Sequence, residues 1–219
     1  MKKAVVLFSS GLDSTTVLYY ALSKGYDCNC LTFDYGQKHR KEIESAIAIA
    51  KDLKVEATVM KIALPWAKDS LTNKDVEVPV DRQDLTGIPS TYVPGRNTLF
   101  LSYALSFAQS IKAQKIFIGA NSLDYSGYPD CRPQFIEAYN ALIDSLDTNV
   151  EVLAPLIKMT KAQIIKLGIR LKVPYEKTWS CYKGKSEPCG KCDSCLLRAK
   201  GFLEAGKKDP LLAVKVSKK

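Results

Sequence analysis

The sequence lacks several features that would settle its class at once. No apolar run approaches the roughly 18 residues needed to cross a bilayer, which argues against a membrane-spanning chain. The start, Met1-Lys2-Lys3 followed by Ala4 to Phe8, has the charge of a signal peptide. Its apolar stretch, however, ends at polar Ser9 and Ser10 and no cleavage site follows, so a cytoplasmic protein is expected. Internal repeats and low-complexity segments are missing, which excludes repeat architectures. Histidine is almost missing: His39 is the only one. Neither G-x-G-x-x-G nor G-x-x-x-x-G-K-[ST] occurs. Gly184-Lys185-Ser186 has the end of a Walker motif, but Trp179 stands where that motif needs its first glycine. Dinucleotide-binding and Walker readings therefore fail.

What is present suits a globular protein. The chain has 219 residues, 46% apolar and 25% charged, with 12 Gly and 10 Pro. That is enough for one sizeable core, or a main domain with a small appendage, and fits neither a disordered nor a collagen-like chain. The net charge of +9 suggests an anionic partner until it is located. Residues 1–150 carry 16 basic and 17 acidic groups, whereas residues 151–219 carry 16 basic and 6 acidic. The excess belongs to the C-terminal third, and so does a cluster of cysteines.

The first sixty residues alternate strand and helix signals. Lys3–Ser9 reads as a buried parallel strand, Ser14 to about Lys24 as a helix closed by Gly25, and Cys28–Asp34 as a second strand. His39–Leu53 reads as an amphipathic helix and Val55–Ile62 as a third strand. Residues 64–95 break the pattern with four prolines, an insertion of the kind that serves as a lid or binding loop. A helix over Asn97–Ile111, a strand over Lys115–Gly119, a helix over 134–146, an edge strand over Val150–Leu153 and a short helix over Thr160–Leu167 complete the alternation. Strands joined by helices imply right-handed crossovers, so the fold class expected is α/β, a doubly wound and mostly parallel sheet. Residues 1–174 would form the main domain and residues 175–219 a small C-terminal subdomain with a basic tail.

In doubly wound folds the turn after the first strand is the usual phosphate site. Here it runs Phe8-Ser9-Ser10-Gly11-Leu12-Asp13-Ser14-Thr15-Thr16. Small residues let backbone amides converge, the hydroxyls can donate, and a helix N-terminus adds partial positive charge. Asp13 would repel phosphate unless a divalent cation bridges them, which points to Mg²⁺. An ordinary capped turn is the alternative. Cys181, Cys189, Cys192 and Cys195 offer four soft ligands at C-x-x-C spacing, which suits a closed, structural zinc site. Buried or redox cysteines and an iron–sulfur cluster are the alternatives. Cys28 and Cys30 read as packing residues. The Asn121–Pro133 segment follows the fourth strand and therefore reaches the same sheet edge as the loop; with 91–97 it is either a run of turn formers or part of the site.

The turn resembles the S-G-G-x-D-S signature of the N-type ATP pyrophosphatases, with Ser10 in place of the first glycine. Serine tolerates a positive φ poorly, so either Ser10 is not left-handed or strain is accepted. The resemblance becomes close when further segments are added: Asp34-Tyr35-Gly36-Gln37-Lys38-His39, Thr91-Tyr92-Val93-Pro94-Gly95-Arg96-Asn97, Asp124-Tyr125-Ser126-Gly127-Tyr128-Pro129-Asp130-Cys131-Arg132-Pro133, and Ser180-Cys181-Tyr182 with the other three cysteines. Collinear over residues 3–203, they look like the 7-cyano-7-deazaguanine synthase family.

The resemblance implies an adenine-nucleotide-hydrolase-like fold and an ATP-dependent ligase, a step towards queuosine. Such an enzyme turns 7-carboxy-7-deazaguanine and ammonia into the nitrile through acyl-adenylate and amide intermediates. It implies ATP with Mg²⁺, held by Ser9, Gly11, Asp13, Ser14 and Thr15, and one structural zinc. Arg96 would hold phosphate or the substrate carboxylate. Asp124 or Asp130 would read the deazaguanine edge, Tyr125 or Tyr128 would stack on the ring, and Arg132 would address O6 or the carboxylate. His39 is a general base or a structural helix-end residue. Small-molecule substrates, no direct nucleic-acid binding, no membrane and a homodimer are the implied partners. Two rivals remain: a tRNA-modifying ATP pyrophosphatase, for which no tRNA-binding extension is visible, and a zinc-dependent nucleic-acid-binding module, for which the tail offers few aromatics.

Overall fold

The computed structural model of the chain describes residues 2–38, 40–73, 75–81, 88–123, 128–184 and 186–213. His39, Asp124 and Tyr125 lie outside the described residues. Five parallel strands form one sheet in the order β3-β2-β1-β4-β5: β1 (Lys2–Leu7), β2 (Tyr26–Asp34), β3 (Glu56–Lys61), β4 (Lys115–Phe117) and β5 (Glu151–Leu153). The helices are α1 (Leu12–Ser23), α2 (Lys41–Leu53), α3 (Arg96–Ser110), α4 (Pro133–Asp144), α5 (Lys161–Arg170), α6 (Asp193–Glu204) and the short α7 (Pro210–Ala213).

The side-chain alternation of β1 divides the core into two layers. Val5 and Leu7 join Leu31, Ile116 and Val152 beneath α3 and α4. Ala4, Val6 and Phe8 join Cys28, Cys30 and Phe117 beneath α1, α2, α5 and α6. Helices therefore cover both faces, as the continuous apolar run of β1 requires. Each fully buried Val, Leu or Ile contributes about 1.5–3 kcal/mol, and β1 supplies three residues of zero exposure. Cys28 and Cys30 are core residues, as expected, and burial pushes both thiols up to about 12.

Element boundaries differ from the sequence pattern by up to three residues. Helix α1 begins at Leu12 because Gly11, in an extended conformation, serves as N-cap. Lys24 caps its C-terminus, and Gly25 follows with φ +79°. Helix α5 continues to Arg170, three residues beyond the expected end, and opens on a Thr160–Gln163 capping box. Among the described residues, the insertion forms no helix or long strand. It docks on the cysteine segment instead, through a bridge between Val80 and Cys192 and an Asp81 N–H donating to the Lys191 carbonyl at 2.9 Å. Leu71, Val78, Trp179 and the cysteines at 181, 192 and 195 share one apolar cluster with β1 and α3.

Candidate active site and metal centre

The strand order reverses direction between β1 and β4, and ligands of doubly wound sheets bind outside the carboxyl ends at such a point. The Ser9–Ser14 turn lies on one side of it. Gly119 lies on the other, so near that a Cβ there would stand 3.0 Å from the Ser14 nitrogen. A side chain there would force the first turn of α1 to give way by a few tenths of an ångström, so glycine suits this close approach of the segment after β4.

Within the turn, the residues expected to bind phosphate divide by direction. Phe8, Ser9, Gly11, Leu12, Asp13 and Ser14 line a cavity of about 270 Å³. The Ser9 and Ser14 hydroxyls are 3.2 Å apart, and Ser14 Oγ also donates to the Gly11 carbonyl at 3.3 Å. Ser10, Thr15 and Thr16 point into the protein. Thr16 Oγ1 donates to the Leu12 carbonyl and is 2.9 Å from the Tyr175 hydroxyl. Thr15 Oγ1 is buried without a hydrogen-bond partner among the described residues.

Ser10 adopts φ +57°, so strain is accepted at the position where the signature has glycine. Its surroundings hold it there. Ser10 Oγ donates to the Glu42 carbonyl at 2.8 Å, and the Ser10 carbonyl accepts from Trp179 N–H at 2.9 Å. Ser180 Oγ accepts from the Leu12 N–H at 3.4 Å. The segment leading into the first cysteine of the cluster thus straps this turn.

Asp13 does not stand alone in this turn. Lys161 Nζ donates to both of its oxygens, at 2.8 and 2.7 Å, and the pair lies on the cavity wall. Sequence reasoning missed Lys161. One signal was available: a cation in the first turn of a helix opposes the helix dipole, so a lysine directly after a capping threonine implies a nearby anion.

Arg96 opens α3 and reaches the same cavity. Its guanidinium lies 5.8 Å from the ring centres of both Tyr35 and Phe100, and Nη1 donates to the Tyr35 hydroxyl at 3.3 Å. Its Nε is buried with no partner among the described residues. Burial works against the charge, yet Tyr35, Tyr182, Tyr128 and Asp130 outweigh it and keep the guanidinium firmly protonated. Burial pushes Tyr35 up to about 12, so this phenol remains a neutral partner. A fixed cation with donors to spare, set among aromatic faces, is equipped to receive an anion on a flat ring.

The two irregular segments meet at this point. The Thr91 and Tyr128 hydroxyls are 2.7 Å apart. Asn97 donates its side-chain amide to the Asp130 carbonyl at 3.1 Å and its backbone N–H to the Asp130 carboxylate at 3.3 Å. Asp130 is therefore engaged with the start of α3, and burial raises its pKa against the lowering effect of Arg96. Arg132 stands at the N-cap of α4. Among the described residues the cavity wall includes Arg96, Asn97, Asn121, Tyr128, Cys131 and Tyr182, but neither Asp130 nor Arg132. Cys131 is the second residue that the sequence left without a role; burial, then Asp130, pushes its thiol up to about 11.

The four clustered cysteines come together. Their sulfurs all lie within 4.8 Å of one another, and Cys181 Sγ is 4.0 Å from Cys192 Sγ. A tetrahedral ion with bonds of about 2.3 Å needs sulfurs about 3.8 Å apart, so small shifts suffice. The Cys192 and Cys195 thiols donate to Cys181, and with backbone amides of residues 189 and 183 they hold it far below the ordinary thiol range. The Gly184 N–H also points at this sulfur, at 3.0 Å. Amides aimed at sulfur stabilise thiolates, and this donor set can hold a metal ion.

A turn of small and hydroxyl residues at the switch point of a 3-2-1-4-5 parallel sheet, strapped by a four-cysteine segment, gives the chain a doubly wound fold of PP-loop type. It is similar to a solved 4-thiouridine synthetase in complex with RNA and ATP, at TM-score 0.53 and 20% identity, over 99% of this chain and 50% of that one. The chain belongs to the family described as "Queuosine biosynthesis protein QueC", which it matches over residues 3–206. Among its curated relatives, the 7-cyano-7-deazaguanine synthase of Thermoplasma acidophilum is 51% identical, over 96% of this chain and 91% of that protein. The 7-cyano-7-deazaguanine synthase of Thermoplasma volcanium is 52% identical, over 96% and 90%. The chain is thus an enzyme of queuosine biosynthesis. No helix among the described residues is long and apolar enough to cross a membrane.

Proposed function

We propose that this chain uses ATP to convert 7-carboxy-7-deazaguanine and ammonia into 7-cyano-7-deazaguanine in the cytoplasm. The observation that carries the reading is the single cavity shared by the Ser9–Ser14 loop and the Arg96 guanidinium. One end suits the phosphates of a nucleotide, and the other suits an anionic, aromatic substrate. A carboxylate is a poor electrophile because its oxygen is a poor leaving group. Attack of that oxygen on the α-phosphorus of ATP releases pyrophosphate and gives an acyl-adenylate. Ammonia then adds at carbon, AMP leaves, and a proton is lost to form the amide. The amide oxygen attacks the α-phosphorus of a second ATP and releases a second pyrophosphate; loss of AMP and of both amide protons then gives the nitrile. One nucleotide site serves both activations.

The residues divide the work by position. Ser9, Gly11 and Ser14, with the N-terminal amides of α1, receive the departing pyrophosphate. Lys161 adds a charge beside Asp13, and Asp13 keeps lone pairs for a Mg²⁺ ion carried by the nucleotide. Arg96 holds the substrate carboxylate as a fork, with Tyr128 and Tyr182 against the ring. Asn97 and Asn121 lie on the same wall, but their side-chain amides donate inward, to Asp130 and Cys131 and to the Leu156 and Met159 carbonyls, and brace it. Asp130 and Arg132 act on the site through the positions of α3 and α4. The cysteines at 181, 189, 192 and 195 hold zinc, closed and structural, so that the Trp179-Ser180 strap stays on the loop. A homodimer without bound nucleic acid is the assembly we assign.

Purified protein incubated with 7-carboxy-7-deazaguanine, ATP, Mg²⁺ and ammonium tests the reading. Nitrile and AMP are expected by mass spectrometry; ADP, or no nitrile, contradicts it. Metal analysis of Cys192→Ala is expected to show zinc lost with lowered stability, and unchanged zinc refutes the four-cysteine assignment. Tight tRNA binding with a steep salt dependence would favour a tRNA-modifying enzyme instead.

A further inference from the structure

Gly201 sits in the interior of α6, where glycine costs about 1 kcal/mol relative to alanine. Its φ is not positive, so backbone conformation does not demand it. Close approach does. A Cβ at this position would lie 2.2 Å from Lys161 Cγ, 2.9 Å from Lys161 Cβ and 3.0 Å from Ile165 Cδ1. The two lysine atoms lie near the root of that side chain and cannot yield as its tip could, whereas Ile165 Cδ1 is a side-chain end that can. Lys161 is the first residue of α5, whose start is fixed by the Thr160–Gln163 capping box. From there its side chain passes over Gly201 to reach both oxygens of Asp13.

We infer that Gly201 is a positioning residue for Lys161: the bare backbone of α6 forms the channel along which this lysine reaches the phosphate loop. Cys192 is the N-cap of helix α6, and Cys195 lies in the first turn. The helix rooted in the metal centre therefore also sets the reach of the lysine beside the nucleotide. A methyl group at position 201 pushes the lysine stem aside and draws Nζ away from Asp13, without touching either ligand. The inference rests on the reading that ATP binds the Ser9–Ser14 loop.

The test is calorimetric titration of ATP with Mg²⁺ into wild type, Gly201→Ala, Lys161→Ala and the double variant, with no carboxylate substrate present. Gly201→Ala is expected to weaken binding by about tenfold, the equivalent of one charge-assisted hydrogen bond. In the Lys161→Ala background, where the nearest clashing atom is gone, the same substitution is expected to change binding by less than about twofold. Equal binding by wild type and Gly201→Ala overturns the inference, as does an equal loss in both backgrounds, which would indicate general packing damage. If Gly201→Ala fails to fold, recovery of folding in the double variant supports the steric pairing and failure to recover refutes it. Absence of ATP binding by the folded wild type refutes the nucleotide reading itself, a different result from either.

Discussion

Asp209 provides a quantitative test of how the C-terminal segment is held against the site. Arg198, on α6, donates Nε and Nη2 to the two Asp209 oxygens at 2.7 and 2.8 Å, Nη1 to Thr178 Oγ1 at 2.7 Å, and Nη2 to the Tyr175 carbonyl at 2.9 Å. Both charged side chains are only 6% exposed. The guanidinium thus joins α6, the start of α7 and the residues that lead into the Trp179-Ser180 strap. Asp209→Ala leaves it buried with its counter-charge gone, which costs about 3–5 kcal/mol. At about 2–4 °C per kcal/mol for a chain of this size, the melting temperature should fall by about 6–20 °C. Asp209→Asn keeps the shape and one acceptor but not the charge, and should fall between wild type and alanine. Replacing both partners by apolar residues, Arg198→Met with Asp209→Leu, should recover more than half of the loss, because no uncompensated charge remains. Thermal unfolding by circular dichroism measures all four proteins. A fall below about 2 °C for Asp209→Ala, or no recovery in the double variant, would refute the reasoning.

Three further outcomes are expected. Arg96→Met should lower kcat/KM for the carboxylate substrate by about 100-fold, the loss of a charge-assisted fork worth about 3 kcal/mol; steady-state kinetics that differ from wild type by less than about fivefold would remove Arg96 from the site. Ser10→Gly relieves a left-handed serine costing about 1–2 kcal/mol but forfeits a hydrogen bond of about 1 kcal/mol, whereas Ser10→Ala forfeits the bond and keeps the strain. Urea denaturation should therefore rank alanine below glycine, and the reverse order would refute the compensation. The Cys131 thiol, pushed up to about 11 by burial, is neutral at pH 7. Its alkylation by iodoacetamide, followed by peptide mass spectrometry, should accelerate as pH rises towards 11 and should slow when substrate is bound; a plateau near pH 8 would contradict that environment.

The sheet was legible because β1, β2 and β4 are short apolar runs between turn formers, and burial on both faces leaves little else that such runs can form. The Ser9–Ser14 turn was legible as a candidate phosphate loop because small and hydroxyl residues between a strand and a helix have few uses. The inward turn of Ser10, Thr15 and Thr16 was not, since it depends on where α1 begins, and a one-residue change of cap rotates every side chain that follows. The cysteine cluster followed from spacing alone. Asp130 shows the opposite limit: a carboxylate in a turn-rich segment looks the same in sequence whether it faces a ligand or accepts the backbone N–H of Asn97, and only packing distinguishes them. Lys161 and Gly201 are forty residues apart, and the path from Gly201 through Lys161 to Asp13 follows from how α5 packs between α6 and α1.

The central claim is that one site activates the same carbon twice through AMP. The most direct measurement starts from 7-carboxy-7-deazaguanine labelled with ¹⁸O at both carboxylate oxygens, with ATP, Mg²⁺ and ammonium, and follows the AMP by mass spectrometry. Each nitrile formed should be matched by two molecules of AMP, each carrying one ¹⁸O in its phosphate. Label appearing in inorganic phosphate or in water, or a single labelled AMP per nitrile, would contradict it.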